Sequence, residues 1–122
     1  MKTALLVGLG SFIGGVSRYL ISKLISEQIT SVFPFGTLTV NVVGCFFIGL
    51  VFGWGSKNIV ETNWQFFLTT GVLGGFTTFS AFSMETFNLI NTGYTTAAIA
   101  YVAVSIVVGL MGTFAGYALM RL

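Results

Sequence analysis

The stretch GVLGGFTTFSAF, from Gly71 to Phe82, lies inside apolar sequence long enough to cross a membrane, yet it is badly composed for one continuous helix. Paired glycines are followed by two threonines, a serine and two phenylalanines three residues apart. Glycine loses the most backbone entropy on ordering, and Thr and Ser offer the backbone competing hydrogen bonds. Backbone N–H and C=O groups freed by such a break cannot face hydrocarbon. They persist only where they are buried in protein or line a wet cavity. A break that also carries hydroxyls and aromatic edges reads as an ion site.

The composition places the whole chain in the same solvent. Only 7% of its 122 residues are charged and 55% are hydrophobic, with a mean hydropathy of +0.96. A water-facing domain carries roughly 25% charged residues, so this is an integral membrane protein, and the length allows one domain. Sixteen glycines suit helices that approach closely in lipid through small residues. There is no His and no Asp, and the acids are Glu27, Glu61 and Glu85. Cys45, alone in an apolar stretch, reads as a small buried hydrophobe, and no disulfide framework or metal cluster is available. The net charge of +2 is too small and scattered to suggest nucleic acid as a partner.

Four apolar stretches of bilayer-spanning length are predicted within a single four-helix membrane domain, 1–122: Thr3 to Ile25, Gly36 to Gly55, Trp64 to Leu89 and Thr95 to Leu119. The first, after Lys2, superficially resembles a signal peptide, but no A-x-A site follows it and it is read as a mature helix. Trp54, Trp64, Tyr94 and Tyr117 fall near the ends, where aromatic belts form. Four spans put both termini on one side, with Lys2, Lys57 and Arg121, against Lys23 and Arg18 towards the other. So weak a bias fits two readings: ordinary insertion with the termini inside, or insertion both ways round with antiparallel pairing. Small residues four apart recur on every span: Gly10 and Gly14, Gly49 and Gly53, Gly71 and Gly75, Gly112 and Gly116. They predict tight helix packing and say little about function. Four short helices barely enclose a polar path, so a transporting unit should be at least a homodimer.

Several side chains are candidates for chemistry. Arg18 continues the Gly10–Gly14 face and stays protonated at any physiological pH. It either snorkels to the interface or draws anions to a wet mouth. Asn41, a mid-membrane amide with two donors and two acceptor sites, is either glue between helices or a pore-lining donor. Tyr101 and Ser105 share a face of the fourth span, which Gly109 continues. Phe79 and Phe82 point the same way. Core packing is one reading, but the electropositive edge of an aromatic ring also suits an anion. Glu85, one turn past Phe82, reads as a solvated helix end. The break itself would free N–H groups for an anion and carbonyls for a cation.

The runs GGVSRY at Gly14 to Tyr19, GTLTVNVVGCFFIG at Gly36 to Gly49 and GVLGGFTTFSAF resemble the three signatures of the Fluc (CrcB) family of fluoride channels. Length, motif order and spacing agree over the whole chain. The resemblance implies an all-α integral membrane protein of the bacterial inner membrane. It is expected to be multi-pass and not an enzyme, with four transmembrane helices, the third broken, paired as an antiparallel, dual-topology homodimer with two fluoride pores. It also implies a structural, non-transported Na⁺ at the dimer centre, held by backbone carbonyls that map to Gly74 and Thr77. The fluoride pathway maps to Arg18, Asn41, Phe79, Phe82, Tyr101 and Ser105. Some relatives carry a hydroxyl where this chain has Gly109, and Thr113 is the nearest substitute.

On this reading weak charge asymmetry becomes a requirement for inserting both ways. Fluoride trapped in the cytosol after entry as HF leaves passively, down its electrochemical gradient, without a coupling ion. A small dual-topology multidrug/proton antiporter would need a glutamate within the first span, and Thr3 to Ile25 has none. A non-transporting assembly subunit gives no reason for Arg18, Asn41 and a broken TTFSAF helix to occur together.

Overall fold

The computed structural model describes residues 1–58 and 60–122; Ile59, in the connector expected between the second and third spans, lies outside the described residues. Helix α1 covers Lys2–Gln28, α2 covers Phe35–Lys57 and the last helix, α6, covers Thr95–Arg121. Between them the third span runs in pieces: α3 (Thr62–Phe66), a π-helical segment (Phe67–Leu73), α4 (Gly74–Phe76) and α5 (Phe79–Asn91). Four apolar spans result, as expected from hydropathy, and they make this a multi-pass membrane protein.

The third span breaks where its composition says it should. Thr77 (φ −87°, ψ 154°) and Thr78 (φ −147°, ψ 116°) are extended, and α5 restarts at Phe79. The wide π-helical turns that precede the break were not anticipated. A π turn shifts each backbone bond one residue further along, and such segments concentrate at functional sites. Here the glycine-rich half of the span reaches its break already out of α register.

Glycines set which spans touch. Cβ atoms added at Gly10 would lie 2.7 Å from the Phe67 carbonyl, and at Gly75 2.7 Å from the Ser11 carbonyl. Added at Gly14, one would overlap the Val72 carbonyl. Contacts ascend together along both chains, so α1 and the first half of the third span run parallel. The same logic pairs α2 with α6: Gly49 meets Thr113, Gly53 meets Tyr117, and Gly116 meets Phe46. The small-residue pairs read from the sequence thus hold helices of one chain backbone to backbone.

Little of the apolar surface is buried. The buried hydrophobic residues are Val40, Leu73, Leu89, Ala98 and Tyr101, while Leu5, Phe12, Phe79 and Phe114 are among many exposed ones. A chain solvated by lipid has no need to hide such side chains. Trp54, Trp64, Tyr94 and Tyr117 are exposed near helix ends, in keeping with an interfacial belt.

Candidate ion pathway and the break in the third span

A cavity of about 300 Å³ lies beside the break, lined by Asn41, Cys45 and Ile48 of α2, Thr77 and Thr78, Phe79 and Phe82 of α5, and Ser105 and Ile106 of α6. Four of the six pathway residues expected from sequence therefore meet at one place. Residues 41, 45 and 48 recur at helical spacing on α2, as 79 and 82 do on α5.

Asn41 is engaged with the break itself. Its Oδ1 accepts the Thr78 N–H (2.7 Å) and its Nδ2 donates to the Thr78 carbonyl (3.1 Å). Its Oδ1 thus replaces the Gly74 carbonyl that a continuous helix would have given the Thr78 N–H, and its Nδ2 adds a donor to the Thr78 carbonyl. One Nδ2 hydrogen remains for anything in the cavity. Thr78 caps α5: its Oγ1 accepts the Ala81 N–H at 3.1 Å. Thr77 turns its own hydroxyl back to the Leu73 carbonyl (3.0 Å).

Ser105 is half-buried, but its Oγ is buried and has no hydrogen-bond partner. Buried hydroxyls are ordinarily paired, so an orphan on a cavity wall points to a solvent molecule or ion that completes it. Phe79 is 79% exposed, unlike a core side chain. Phe82 does both jobs: it lines the cavity and packs on the small core around Leu89, Ala98 and Tyr101. The rings of Phe79 and Phe82 lie 5.6 Å apart, and Phe82 and Tyr101 5.1 Å apart.

Tyr101 stands one layer behind the cavity. Its ring is fully buried and its hydroxyl donates to Glu85 Oε2 (2.9 Å). Thr37 donates to Glu85 Oε1 (2.7 Å). Glu85 is therefore a half-buried carboxylate braced from α2 and α6, not the solvated helix end expected. It also faces a second cavity of about 270 Å³ with Pro34, Asn88, Thr92 and Tyr94. Arg18 does not line the first cavity; its Nε donates to the Gly75 carbonyl (3.2 Å), which ties the charge of α1 to the break. Cys45 lines the cavity, half-buried, where a sealed core position was expected. Thr113 donates to the Gly109 carbonyl (3.3 Å) of its own helix and lines a different, apolar pocket.

No cluster of His, Cys, Asp or Glu able to hold a metal exists among the described residues, and the break offers backbone oxygen instead. Gly74 and Thr77 are the residues concerned. In a continuous helix their carbonyls would accept from the N–H groups four residues on, at Thr78 and Ala81. Both of those N–H groups are spent on side chains, Asn41 Oδ1 and Thr78 Oγ1. Unwound backbone carbonyls of this kind coordinate Na⁺ in the broken helices of secondary transporters.

A family model described as CrcB-like protein, Camphor Resistance (CrcB), matches residues 5–117. The chain is 42% identical over 117 residues to a protein of Flavobacterium psychrophilum, covering 95% of this chain and 94% of that one. It is 43% identical over 120 residues to one from Aquifex aeolicus (98% and 97%), and 41% identical over 120 residues to one from Azobacteroides pseudotrichonymphae (98% and 96%). All three bear the name fluoride-specific ion channel FluC.

Proposed function

The chain belongs to the CrcB-like family, and we propose that, like the relatives named above, it is a fluoride-specific ion channel. The observation that carries this reading is the cavity where Asn41, Phe79, Phe82 and Ser105 converge, with the Ser105 hydroxyl left unpartnered. An anion that has shed part of its water needs replacement donors that do not also offer a proton-accepting base. The Ser105 hydroxyl and the free Asn41 N–H supply donors, and the electropositive edges of Phe79 and Phe82 supply weaker ones. Tyr101 contributes its ring against Phe82 while Glu85 holds its hydroxyl. Arg18 adds a permanent positive charge tied to the break, which raises the local anion concentration. Transport is passive and carries toxic cytoplasmic fluoride out of the bacterial cell through the inner membrane.

The functional unit is an antiparallel homodimer whose chains insert in both orientations. Gly74 is exposed on the surface of the single chain, where a second copy can reach it. The carbonyls of Gly74 and Thr77, with those of the second copy, would hold a structural Na⁺ that is not transported. When bound, that ion supplies a fixed positive charge and a tie between subunits.

The test is efflux from liposomes holding the purified protein, with fluoride and chloride followed by separate ion electrodes. Rapid fluoride loss beside retained chloride is the expected result. Equal leakage of both ions, or no flux, overturns the reading.

A further inference from the structure

Five residues of the break, Gly74 to Thr78, present carbonyls whose availability is decided by side chains from elsewhere. The Gly75 carbonyl is taken by Arg18 Nε, and the Thr78 carbonyl by Asn41 Nδ2. The Thr78 N–H, which would otherwise close a helical turn onto Gly74, goes to Asn41 Oδ1 at 2.7 Å. The Ala81 N–H, which would otherwise close onto Thr77, goes to Thr78 Oγ1 at 3.1 Å. Of the three remaining carbonyls, Gly74, Phe76 and Thr77, those of Gly74 and Thr77 are the two whose helical N–H partners are diverted in this way.

We propose that Asn41 and Thr78 are positioning residues of the cation site, acting by diverting the two N–H groups that would otherwise consume the Gly74 and Thr77 carbonyls. This inference rests on the Na⁺ reading above and deepens it. Asn41 lines the anion cavity and also keeps the break unwound, so one side chain belongs to both ions. The two halves of its amide have separate duties: Oδ1 holds the Thr78 N–H, and the Nδ2 hydrogen not given to Thr78 is left for the cavity that Asn41 lines. Without Oδ1, the Thr78 N–H loses its partner, and the acceptor that a closed helical turn would give it is the Gly74 carbonyl. Without Thr78 Oγ1, α5 loses its N-cap and the Ala81 N–H turns to Thr77.

The experiment is thermal unfolding of the purified full-length protein over a titration of NaCl against KCl at constant ionic strength, with fluoride efflux measured in parallel. Wild type should unfold at a higher temperature in Na⁺. In Asn41→Leu and Thr78→Val the Na⁺ concentration for half-maximal stabilisation should rise about tenfold or more, the equivalent of losing one well-made buried hydrogen bond. Asn41→Asp keeps an acceptor for the Thr78 N–H and should need no more Na⁺ than wild type. Its fluoride efflux should nevertheless fall, because the free N–H is replaced by negative charge. A merely structural asparagine would lower the unfolding temperature equally in both salts. Should Asn41→Leu fail to fold, Thr78→Val and Asn41→Asp still decide the matter. A wild-type Na⁺ response in Thr78→Val, or a weakened one in Asn41→Asp, overturns the proposal. Wild type that ignores Na⁺ removes the cation reading itself, and this inference with it, whatever the efflux assay shows.

Discussion

Ser105 carries a hydroxyl that the fold leaves unpaired, which is a liability unless something in the cavity completes it. An unsatisfied buried polar group costs about 1–3 kcal/mol, so removing it should not weaken the protein. Ser105→Ala is expected to unfold at the same or a slightly higher temperature, while fluoride efflux falls about tenfold through loss of one donor. Paired melting and efflux measurements check this; a destabilised variant with normal flux would show the hydroxyl to be structural. Phe82→Ile tests the ring edges in the same way. Efflux should drop close to background while the protein stays folded and oligomeric by gel filtration, since isoleucine still fills the site against Tyr101. Glu85 shows where residue-by-residue reading stops. Its partners, Thr37 and Tyr101, lie 48 and 16 positions away in the chain, and no local pattern announces the pairing. Asn41 is similar: its amide invites the two readings of glue and pore donor, and only the 37-residue separation closed in space shows that it is bonded to the break.

Among the elements, the parallel pairing of α2 with α6 is held by backbone contact at glycines, and these are not equivalent. A Cβ at Gly116 would overlap the Phe46 carbonyl, whereas one at Gly112 would sit 3.4 Å from the Val42 carbonyl, an ordinary contact. Gly116→Ala should therefore force the helices apart at a cost of about 1–3 kcal/mol or more, and Gly112→Ala should be close to neutral. Thermal unfolding in detergent, comparing the two variants, gives the answer. The sequence marks both glycines with the same spacing and cannot rank them, because the difference lies in the axial stagger of two helices. The third span makes the complementary point. Gly74, Gly75, Thr77 and Thr78 lie together in the chain, and their composition locates the break. The π-helical turns from Phe67 to Leu73 read as ordinary apolar helix, because seven residues are too few for a widened turn to show in the hydrophobic pattern. They are imposed by packing, with Gly71 against Gly10 and the Val7 carbonyl, 3.1 Å from an added Cβ.

At the scale of the whole molecule, the proposed pathway calls for a second chain. Phe79, which lines the cavity, is 79% exposed, and Gly74, whose carbonyl has lost its helical N–H partner, is exposed as well. Two neutral oxygens leave most of a sodium ion's coordination shell unmet. In the proposed antiparallel dimer a second copy, related by a two-fold axis in the membrane plane, would supply the same groups from the opposite side after entering the membrane upside down. The charge distribution permits this, since Lys2, Lys57 and Arg121 are offset by Lys23 and Arg18, and the positive-inside preference is nearly balanced. The balance is easily tipped. Lysines at Asn58 and Glu61, exposed beyond the end of α2 and away from the cavity, add to the side bearing the termini. The variant Asn58→Lys/Glu61→Lys should hold that side in the cytoplasm in every copy. Wild type carrying a reporter at its C-terminus should give signal from both faces of the membrane, and the variant from one. Efflux should fall with the loss of inverted partners, and return when the variant is co-expressed with a chain biased the other way. Co-expression separates topology from misfolding, because a misfolded chain gains nothing from an inverted partner. Full efflux from the variant expressed alone, with all reporters on one side, would mean that the pathway closes without an antiparallel pair.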